Sequence, residues 1–440
     1  MPSAADNRGP DPERLDGIYR KVAIRLIPYI FLCYVFNYLD RVNVGFAKLQ
    51  MLDDLGMSEA AYGFGAGIFF LGYVAFGVPS NLMLQRIGAR RWLSAIMILW
   101  GLLSTALMFV RTEQSFYLLR IVTGAAEAGF FPGIVLYLSR WFPAARRGRA
   151  MALFMAAIPL SGVFGGPFSG WILAHFSAGQ QGLAGWQWLF LLQGLPTVAL
   201  GIGIMFWLSD DVASATWLTE DERRAVQAAI AADERDKPAA AVEGFAQVMR
   251  RPVVWALGLV YFAIQSGVYA VNFWLPSIIR SSGLADPLLI GWLSAIPYLA
   301  AAIFMQGVGR SADRRGERRW HLAVPMLIGA GGLAIAAACA SSPVLALLGL
   351  TLAAMGALAS LPMMWPLAAG FLSVGAAAGG VALINSIGQI AGFLSPYLVG
   401  WIKDATHSTD AALYLLAAIM TLGAGLVTRI GAARSSSIQT

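Results

Sequence analysis

Apolar runs of about 18–25 residues recur along the whole chain, and each is long enough to cross the ~30 Å hydrocarbon core of a bilayer. About twelve can be counted, over 24–46, 60–84, 92–110, 115–138, 151–174, 187–208, 253–276, 288–309, 321–340, 344–367, 376–400 and 411–430. Hydrocarbon offers no partner to backbone N–H and C=O groups, so a spanning segment must be a helix or a strand of a closed barrel. These runs are rich in Leu, Ala and Gly and lack the alternation of barrel strands, which predicts helices. With 58% of 440 residues hydrophobic, 12% charged and a mean hydropathy of +0.66, a soluble fold is excluded. Residues 1–23 are polar and carry no cleavable signal-peptide pattern.

The net charge of +7 raises nucleic acid as a partner, but its distribution points to topology instead. Arginines gather in alternate loops: Arg86, Arg90 and Arg91; Arg140, Arg146, Arg147 and Arg149; Arg314, Arg315, Arg318 and Arg319. Such a bias marks the cytoplasmic side and predicts a multi-pass protein of a bacterial inner membrane with both termini in the cytoplasm. Cys33 and Cys339 fall within predicted spans and read as small buried residues, not as a disulfide or metal ligands. His175, His321 and His407 are scattered, so neither a metal nor another cofactor is expected.

An internal repeat organises the spans. Gln85-Arg86-Ile87-Gly88-Ala89-Arg90-Arg91-Trp92 follows the second run, and Asp313-Arg314-Arg315-Gly316-Glu317-Arg318-Arg319-Trp320 follows the eighth. Five of the eight positions are identical, and both segments join the second and third helices of a six-helix set. Two similar six-helix halves of equal orientation are the architecture of alternating-access transporters. The expected fold is therefore an all-α membrane protein of twelve transmembrane helices in two pseudo-symmetric halves. The expected boundaries are a cytoplasmic segment 1–23, a first half 24–208, a cytoplasmic linker 209–251, a second half 252–430 and a tail 431–440. In the linker, Thr219 with Glu222 predicts a capped helix through Arg223, Arg224 and Ala225, broken by Lys237 to Ala241.

The repeated loop resembles the signature loop of the major facilitator superfamily. The second copy matches well, whereas the first has Gln85 where an acidic residue is usual. The resemblance implies a gating role for Arg86, Gly88, Arg90, Asp313, Arg314, Gly316 and Arg318. Further segments are similar to the anion:cation symporter family within it. They are Phe36-Asn37-Tyr38-Leu39-Asp40-Arg41-Val42-Asn43-Val44-Gly45-Phe46-Ala47, Arg120-Ile121-Val122-Thr123-Gly124-Ala125-Ala126-Glu127-Ala128-Gly129, Gly185-Trp186-Gln187-Trp188-Leu189-Phe190 and Ala382-Leu383-Ile384-Asn385-Ser386-Ile387-Gly388. They span nearly the whole chain, and within that family it most resembles bacterial tartrate and related carboxylate permeases.

Asp40, Arg41, Arg120 and Glu127 lie inside these apolar runs. A charge in hydrocarbon is costly unless paired, wet or functional, so the four define a candidate site. Arg120 and Glu127, seven apart on one helix, share a face within ~20° but lie ~10 Å apart along the axis, which favours partners on other helices. Gly124 lies between them and leaves room. Asp40 and Arg41 diverge by ~100° and are expected to face different neighbours. Arginine offers a permanent charge and a planar fork to a carboxylate. A carboxylic acid can exchange a proton. An arriving anion that competes for the arginine would free the acid to take up that proton, so the two bind cooperatively. In related galactonate, sialic acid and glutamate carriers, residues matching Arg41 and Arg120 serve anion recognition or charge pairing, and those matching Asp40 and Glu127 serve proton coupling.

The second half supplies neutral polar candidates for the same pocket. Gln265, Tyr269 and Asn272 share one face of the seventh helix, and Asn385 and Gln389 are four apart on the eleventh. Tyr73 and Trp365 complete the expected lining; the alternative for all of them is hydrogen bonding between helices. The leading expectation is a non-enzymatic, proton-coupled importer of a small organic anion, working as a monomer in the bilayer. A tartrate-like hydroxy dicarboxylate or a sugar acid is the first substrate class, with aromatic or pyridine carboxylates beside it. An exchanger or exporter on the same fold remains open; so does a receptor without flux. No nucleophile–base set emerges for an enzyme, and no phosphate-binding Gly-Lys-Ser/Thr loop for ATP hydrolysis.

Overall fold

The computed structural model describes residues 12–176, 182–235, 245–372 and 377–437. Among them twelve helices are long and apolar enough to cross a membrane. In chain order the helices are α1 (Pro12–Leu55), α2 (Glu59–Ile87), α3 (Ala89–Ala106), α4 (Glu113–Glu127), α5 (Phe130–Ser139), α6 (Ala144–Met155), α7 (Ala157–His175), α8 (Gly185–Trp207), α9 (Glu220–Arg235), α10 (Phe245–Met249), α11 (Pro252–Ser281), α12 (Pro287–Arg315), α13 (Arg319–Ala338), α14 (Pro343–Ala369), α15 (Ala377–Thr406) and α16 (Asp410–Ser437). Six spans precede α9 and six follow α10. The fourth span is the pair α4 and α5, and the fifth is α6 and α7. The sequence pattern hid both breaks, because local interruptions of the helical ladder leave apolar periodicity intact. One break falls directly after Glu127, where Gly129 lies so close to Ser80 that a Cβ would sit 1.8 Å from its Oγ.

Two ends of the bundle differ. At one end, called the basic end below, Gly88 (φ 95°) and Gly316 (φ 63°) turn the chain between α2 and α3 and between α12 and α13. Both have a positive φ, which favours glycine. The expected cap of α9 is also present: Glu222 N–H donates to Thr219 Oγ1 at 3.3 Å, and Thr219 N–H donates to Glu222 Oε2 at 2.8 Å. Glu222 lies well placed against Lys21 Nζ (2.7 Å), and that contact with the Thr219 amide holds its carboxyl below the usual range. The break expected at Lys237 to Ala241 lies outside the described residues.

At the opposite end the two halves touch backbone to backbone. A Cβ on Gly63 would fall 2.3 Å from the Pro396 carbonyl oxygen of α15, and one on Gly166 of α7 would fall 2.6 Å from that of Gly291 on α12. Only a missing side chain permits such approach. Toward the basic end this contact is lost. Val74, Phe76, Val78, Leu82 and Met83 on α2 are exposed, and Gly77 and Gly307 have open space where a side chain would project. The halves are therefore closed at one end and parted at the basic end.

Candidate functional site

The four membrane-buried charges separate into a pair and two unlike singles. Arg41 of α1 reaches Glu127 of α4: Nε donates to Oε1 at 2.6 Å and Nη2 contacts the same oxygen. The Glu127 side chain is 1% exposed and that of Arg41 11%, so the cation is the more accessible member. Three rings surround the Arg41 guanidinium, with centroids at 5.1 Å (Tyr73), 5.6 Å (Phe69) and 5.8 Å (Tyr38). Such faces attract a cation through their quadrupole. Tyr269 of the second half is also among its electrostatic neighbours.

Asp40, the adjacent residue, points elsewhere, as the ~100° step requires. Its carboxylate accepts from Trp100 Nε1 (2.9 Å) and Ser104 Oγ (3.0 Å) on α3 and from Thr197 Oγ1 (3.0 Å) on α8. Three neutral donors replace the solvent it has lost, and no cation lies within ion-pair distance among the described residues. Arg120 is equally buried. It donates through Nη2 to the Ala66 carbonyl (3.3 Å), lies 4.7 Å from the Phe69 ring centroid, and its Nε has no hydrogen-bond partner among the described residues. The room expected beside Gly124 is filled: a Cβ there would be 1.9 Å from the Phe69 carbonyl oxygen. This glycine lets α2 lie directly on α4, which presses Phe69 between the two arginines.

The neutral candidates of the second half are tied mostly to one another. Gln265 Nε2 donates to Tyr269 Oη (3.1 Å), which donates to Gln389 Oε1 (2.8 Å), linking α11 to α15. Asn272 accepts from Tyr298 of α12 (2.9 Å) and donates to Tyr38 of α1 (3.4 Å), so it joins the halves. Tyr73, Trp365 and Asn385 are half-buried; Trp365 packs on Tyr261 with centroids 5.1 Å apart, and Asn385 has no hydrogen bond among the described residues.

The repeated loops are ordered differently. Asp313 accepts from Arg318 at 2.6 Å, whereas in the first loop Asp210, after α8, takes the acidic place that Gln85 leaves. Asp210 accepts from the Arg90 amide (2.9 Å) and lies 3.5 Å from Arg90 Nε. Arg86 and Arg314 are exposed. The second loop also carries a hydrogen-bonded set of side chains. Ser311 Oγ lies 2.9 Å from His321 Nε2, and His321 Nδ1 lies 2.8 Å from Glu317 Oε2. The turn at Gly316 brings these distant positions together. Glu317 also accepts from the Trp320 amide (2.8 Å), so the set clamps the loop. Burial pushes the Glu317 carboxyl up, but the Trp320 amide and His321 outweigh it and hold it below the usual range.

A second charge cluster, at the closed end, was invisible as a unit in the sequence. Glu59 at the start of α2 contacts Lys48 of α1 and Lys403 of α15, each at 2.5 Å. Lys48 lies 3.5 Å from the Trp274 ring centroid of α11. Asp404 of α15 accepts from the amides of Glu59 (3.1 Å) and Ala60 (2.7 Å), and Arg280 of α11 donates to the Leu49 carbonyl. Charges at span ends usually snorkel to water, which is how these would be read singly. Among the described residues no three His, Cys, Asp or Glu side chains converge as a metal site.

Twelve spans, two halves and one parted end define a membrane transporter of the alternating-access type. The profile of the Major Facilitator Superfamily matches residues 30–396, and the chain belongs to that family. It is 47% identical over 414 residues to "Putative metabolite transport protein NicT" of Pseudomonas putida, with 93% of each chain covered. It is 44% identical to a "Putative tartrate transporter" of Agrobacterium vitis, covering 96% of this chain and 93% of that one. A "Quinolone resistance transporter" of Acinetobacter baumannii is 37% identical, covering 92% and 93%. Among solved structures, a D-xylose-proton symporter superposes with a TM-score of 0.69 at 18% identity, over 92% of this chain and 97% of that one, a likeness of fold.

Proposed function

We propose that this chain is a proton-coupled importer of a small organic anion in a bacterial inner membrane, of the anion:cation symporter type. The observation that carries it is the buried Arg41–Glu127 pair with Arg41 as its accessible member. A carboxylate substrate entering between the halves meets Arg41 first, within reach of Tyr73. It takes the guanidinium fork from Glu127. The displaced Glu127, buried and without its Arg41 partner, then binds a proton, because an unpaired buried carboxylate is strongly disfavoured. Substrate and proton thus favour each other's binding by the same factor. Asp40 serves as a second proton site, and Arg120 supplies a fixed positive charge behind Phe69. Tyr73, Trp365 and Asn385 are the lining groups most free to meet hydroxyls, while Gln265, Tyr269, Asn272 and Gln389 hold α11 and α15 in place around them.

The arginine bias of these loops supports a cytoplasmic basic end, with both termini there and residues 209–251 as a cytoplasmic linker between halves 24–208 and 252–430. The parted basic end is then an inward-open state, and the closed end is periplasmic. The two loops gate the cytoplasmic side through Arg90 with Asp210 and Arg318 with Asp313. The names of the NicT and tartrate relatives favour a carboxylate as cargo, with hydroxy dicarboxylates first and pyridine carboxylates second. The quinolone resistance relative keeps export as the competing reading. A thermal-shift screen of tartrate, sugar acids and pyridine carboxylates on purified protein, followed by uptake of the best binder into proteoliposomes, decides between them. Accumulation driven by an inward proton gradient is the expected result. Efflux alone, or indifference to the gradient, would overturn the proposal.

A further inference from the structure

A groove of about 540 Å³ opens at the basic end of the first half, within the ~300–1,000 Å³ typical of small-ligand sites. Its floor is one face of α1. Gly17, Arg20, Lys21, Ile24 and Arg25 follow the three- and four-residue spacing that aligns side chains along a helix. Its walls are Trp207, the last residue of α8, and Trp217, in the segment that follows. Gly17 has open space where a side chain would project, which deepens the groove. Both walls are held from behind. Trp207 Nε1 donates to the Arg25 carbonyl (2.9 Å), and its ring stacks on Tyr29 with centroids 5.9 Å apart. Trp217 stacks on Trp141 at 5.6 Å and donates to Ser209 Oγ (3.3 Å).

The cations of this groove are not all taken. Lys21 is paired with Glu222 of α9 at 2.7 Å. The neighbouring acids Asp16 and Asp221 are engaged by Arg146 and Arg14. Neither the Arg20 nor the Arg25 guanidinium has an ion pair or hydrogen bond among the described residues. Arg25 lies over the Trp207 ring, 3.7 Å from its centroid, and its Nε is closed off from solvent without a hydrogen-bond partner. Two positive charges are thus left for a ligand, and depth indicates its kind. Arg25 lies ~35 Å before Lys48, the α1 residue of the closed-end cluster, at ~1.5 Å per residue. That is slightly more than the ~30 Å hydrocarbon core, so the groove sits at headgroup level. Tryptophan favours this boundary. Ile24 in the floor is 65% exposed and Phe206, the residue before Trp207, 82%, as expected where acyl chains cover the protein. We propose that the groove binds an anionic phospholipid of the phosphatidylglycerol type, in the leaflet at the basic end. Its phosphodiester takes Arg20 and Arg25, its glycerol head lies between the two tryptophans, and its chains pass Ile24 into the bilayer. A zwitterionic lipid binds less well, because its ammonium group meets the same arginines. The site is built wholly from the first half and does not depend on the cargo or on the direction of transport. On the orientation proposed above, the leaflet is the cytoplasmic one.

The test titrates purified full-length protein in detergent with phosphatidylglycerol, phosphatidylcholine or water-soluble glycerol phosphate, read by native mass spectrometry and by melting temperature. Wild type should hold phosphatidylglycerol at least ~10-fold more tightly than phosphatidylcholine and melt higher with it. Glycerol phosphate, which has the head but no chains, should change neither readout. Arg20→Gln combined with Arg25→Gln should weaken phosphatidylglycerol binding ~10–30-fold, the worth of two basic residues at an anionic surface. Arg20→Lys with Arg25→Lys should keep most of the binding. Arg310→Gln with Arg315→Gln removes two exposed charges from α12 in the other half and should leave binding within ~2-fold, because distant charges are screened. An experimental structure in phosphatidylglycerol nanodiscs, which needs no variant, should show a phosphate within hydrogen-bond distance of Arg20 and Arg25. Four results would overturn the proposal: equal retention of the two lipids by wild type, equal loss in the two glutamine pairs, an equal effect of glycerol phosphate, or a groove filled by protein in that structure.

Discussion

Lys403→Met should loosen the closed end and shift the protein toward the state open on that side. Lys403 of α15 and Lys48 of α1 share the Glu59 carboxylate, and only the Lys403 contact crosses between the halves. At an effective dielectric of ~20, unit charges 4 Å apart attract by ~4 kcal/mol before desolvation and ordering are subtracted. Fully exposed pairs retain ~0.2–1 kcal/mol, and breaking a buried pair costs ~3–5 kcal/mol. The Lys403 and Glu59 side chains are 23% and 18% exposed, and Glu59 keeps Lys48 in the variant. A change of ~1–2 kcal/mol between the two states follows, or roughly 5–30-fold in their ratio. Ser294 of α12 gives the readout. It is fully buried, and a Cβ on Gly166 of the other half would lie 3.3 Å from its own Cβ. In a background without Cys33 and Cys339, a cysteine at position 294 should be alkylated by a membrane-impermeant maleimide only when this end opens. The rate should rise roughly 5–30-fold with Lys403→Met. An unchanged or slower rate would refute the idea that this pair holds the halves together.

Arg41→Lys keeps the charge but loses the planar fork, so carboxylate-induced thermal stabilisation should fall by ~10-fold or more in apparent affinity, read by titration. Gly124→Ala places a methyl group against the Phe69 backbone, which cannot swing aside as a side chain could. It should lower stability by ~1–3 kcal/mol and weaken substrate binding as well, measured as unfolding midpoint and thermal-shift titration. Glu317→Gln tests the loop clamp by its pH dependence. Because the folded Glu317 carboxyl lies below its unfolded value of ~4.3, its contribution is present above that value and lost as pH falls through the folded one. The gap in melting temperature between wild type and variant should therefore be present at pH 7 and shrink in acid; a constant gap would contradict the clamp.

Much of the architecture could be read directly, because crossing a bilayer demands long apolar runs and the two arginine loops agree at five of eight positions. All four buried charges were legible too, since each interrupts such a run. Their partners were not. Trp100, Ser104 and Thr197 sit in apolar helices as unremarkable neutral residues, and only the packing of α3 and α8 against α1 turns them toward Asp40. The axial separation of Arg120 and Glu127 favoured partners on other helices, yet it could not say that Arg41 would take Glu127 and leave Arg120 on a backbone carbonyl. Asp210 escaped notice because it lies more than a hundred residues from the loop it completes. Lys48, Glu59 and Lys403 escaped because residues at span ends carry no signal of which helix they face.

The most direct test is Glu127→Gln in proteoliposomes. The amide keeps a hydrogen-bond acceptor for Arg41 but cannot exchange a proton. Counterflow exchange of the substrate should persist, with affinity equal to or better than wild type because no anion competes for Arg41. Accumulation driven by an inward proton gradient should vanish. Full gradient-driven accumulation by this variant would contradict the exchange of Arg41 between Glu127 and the substrate.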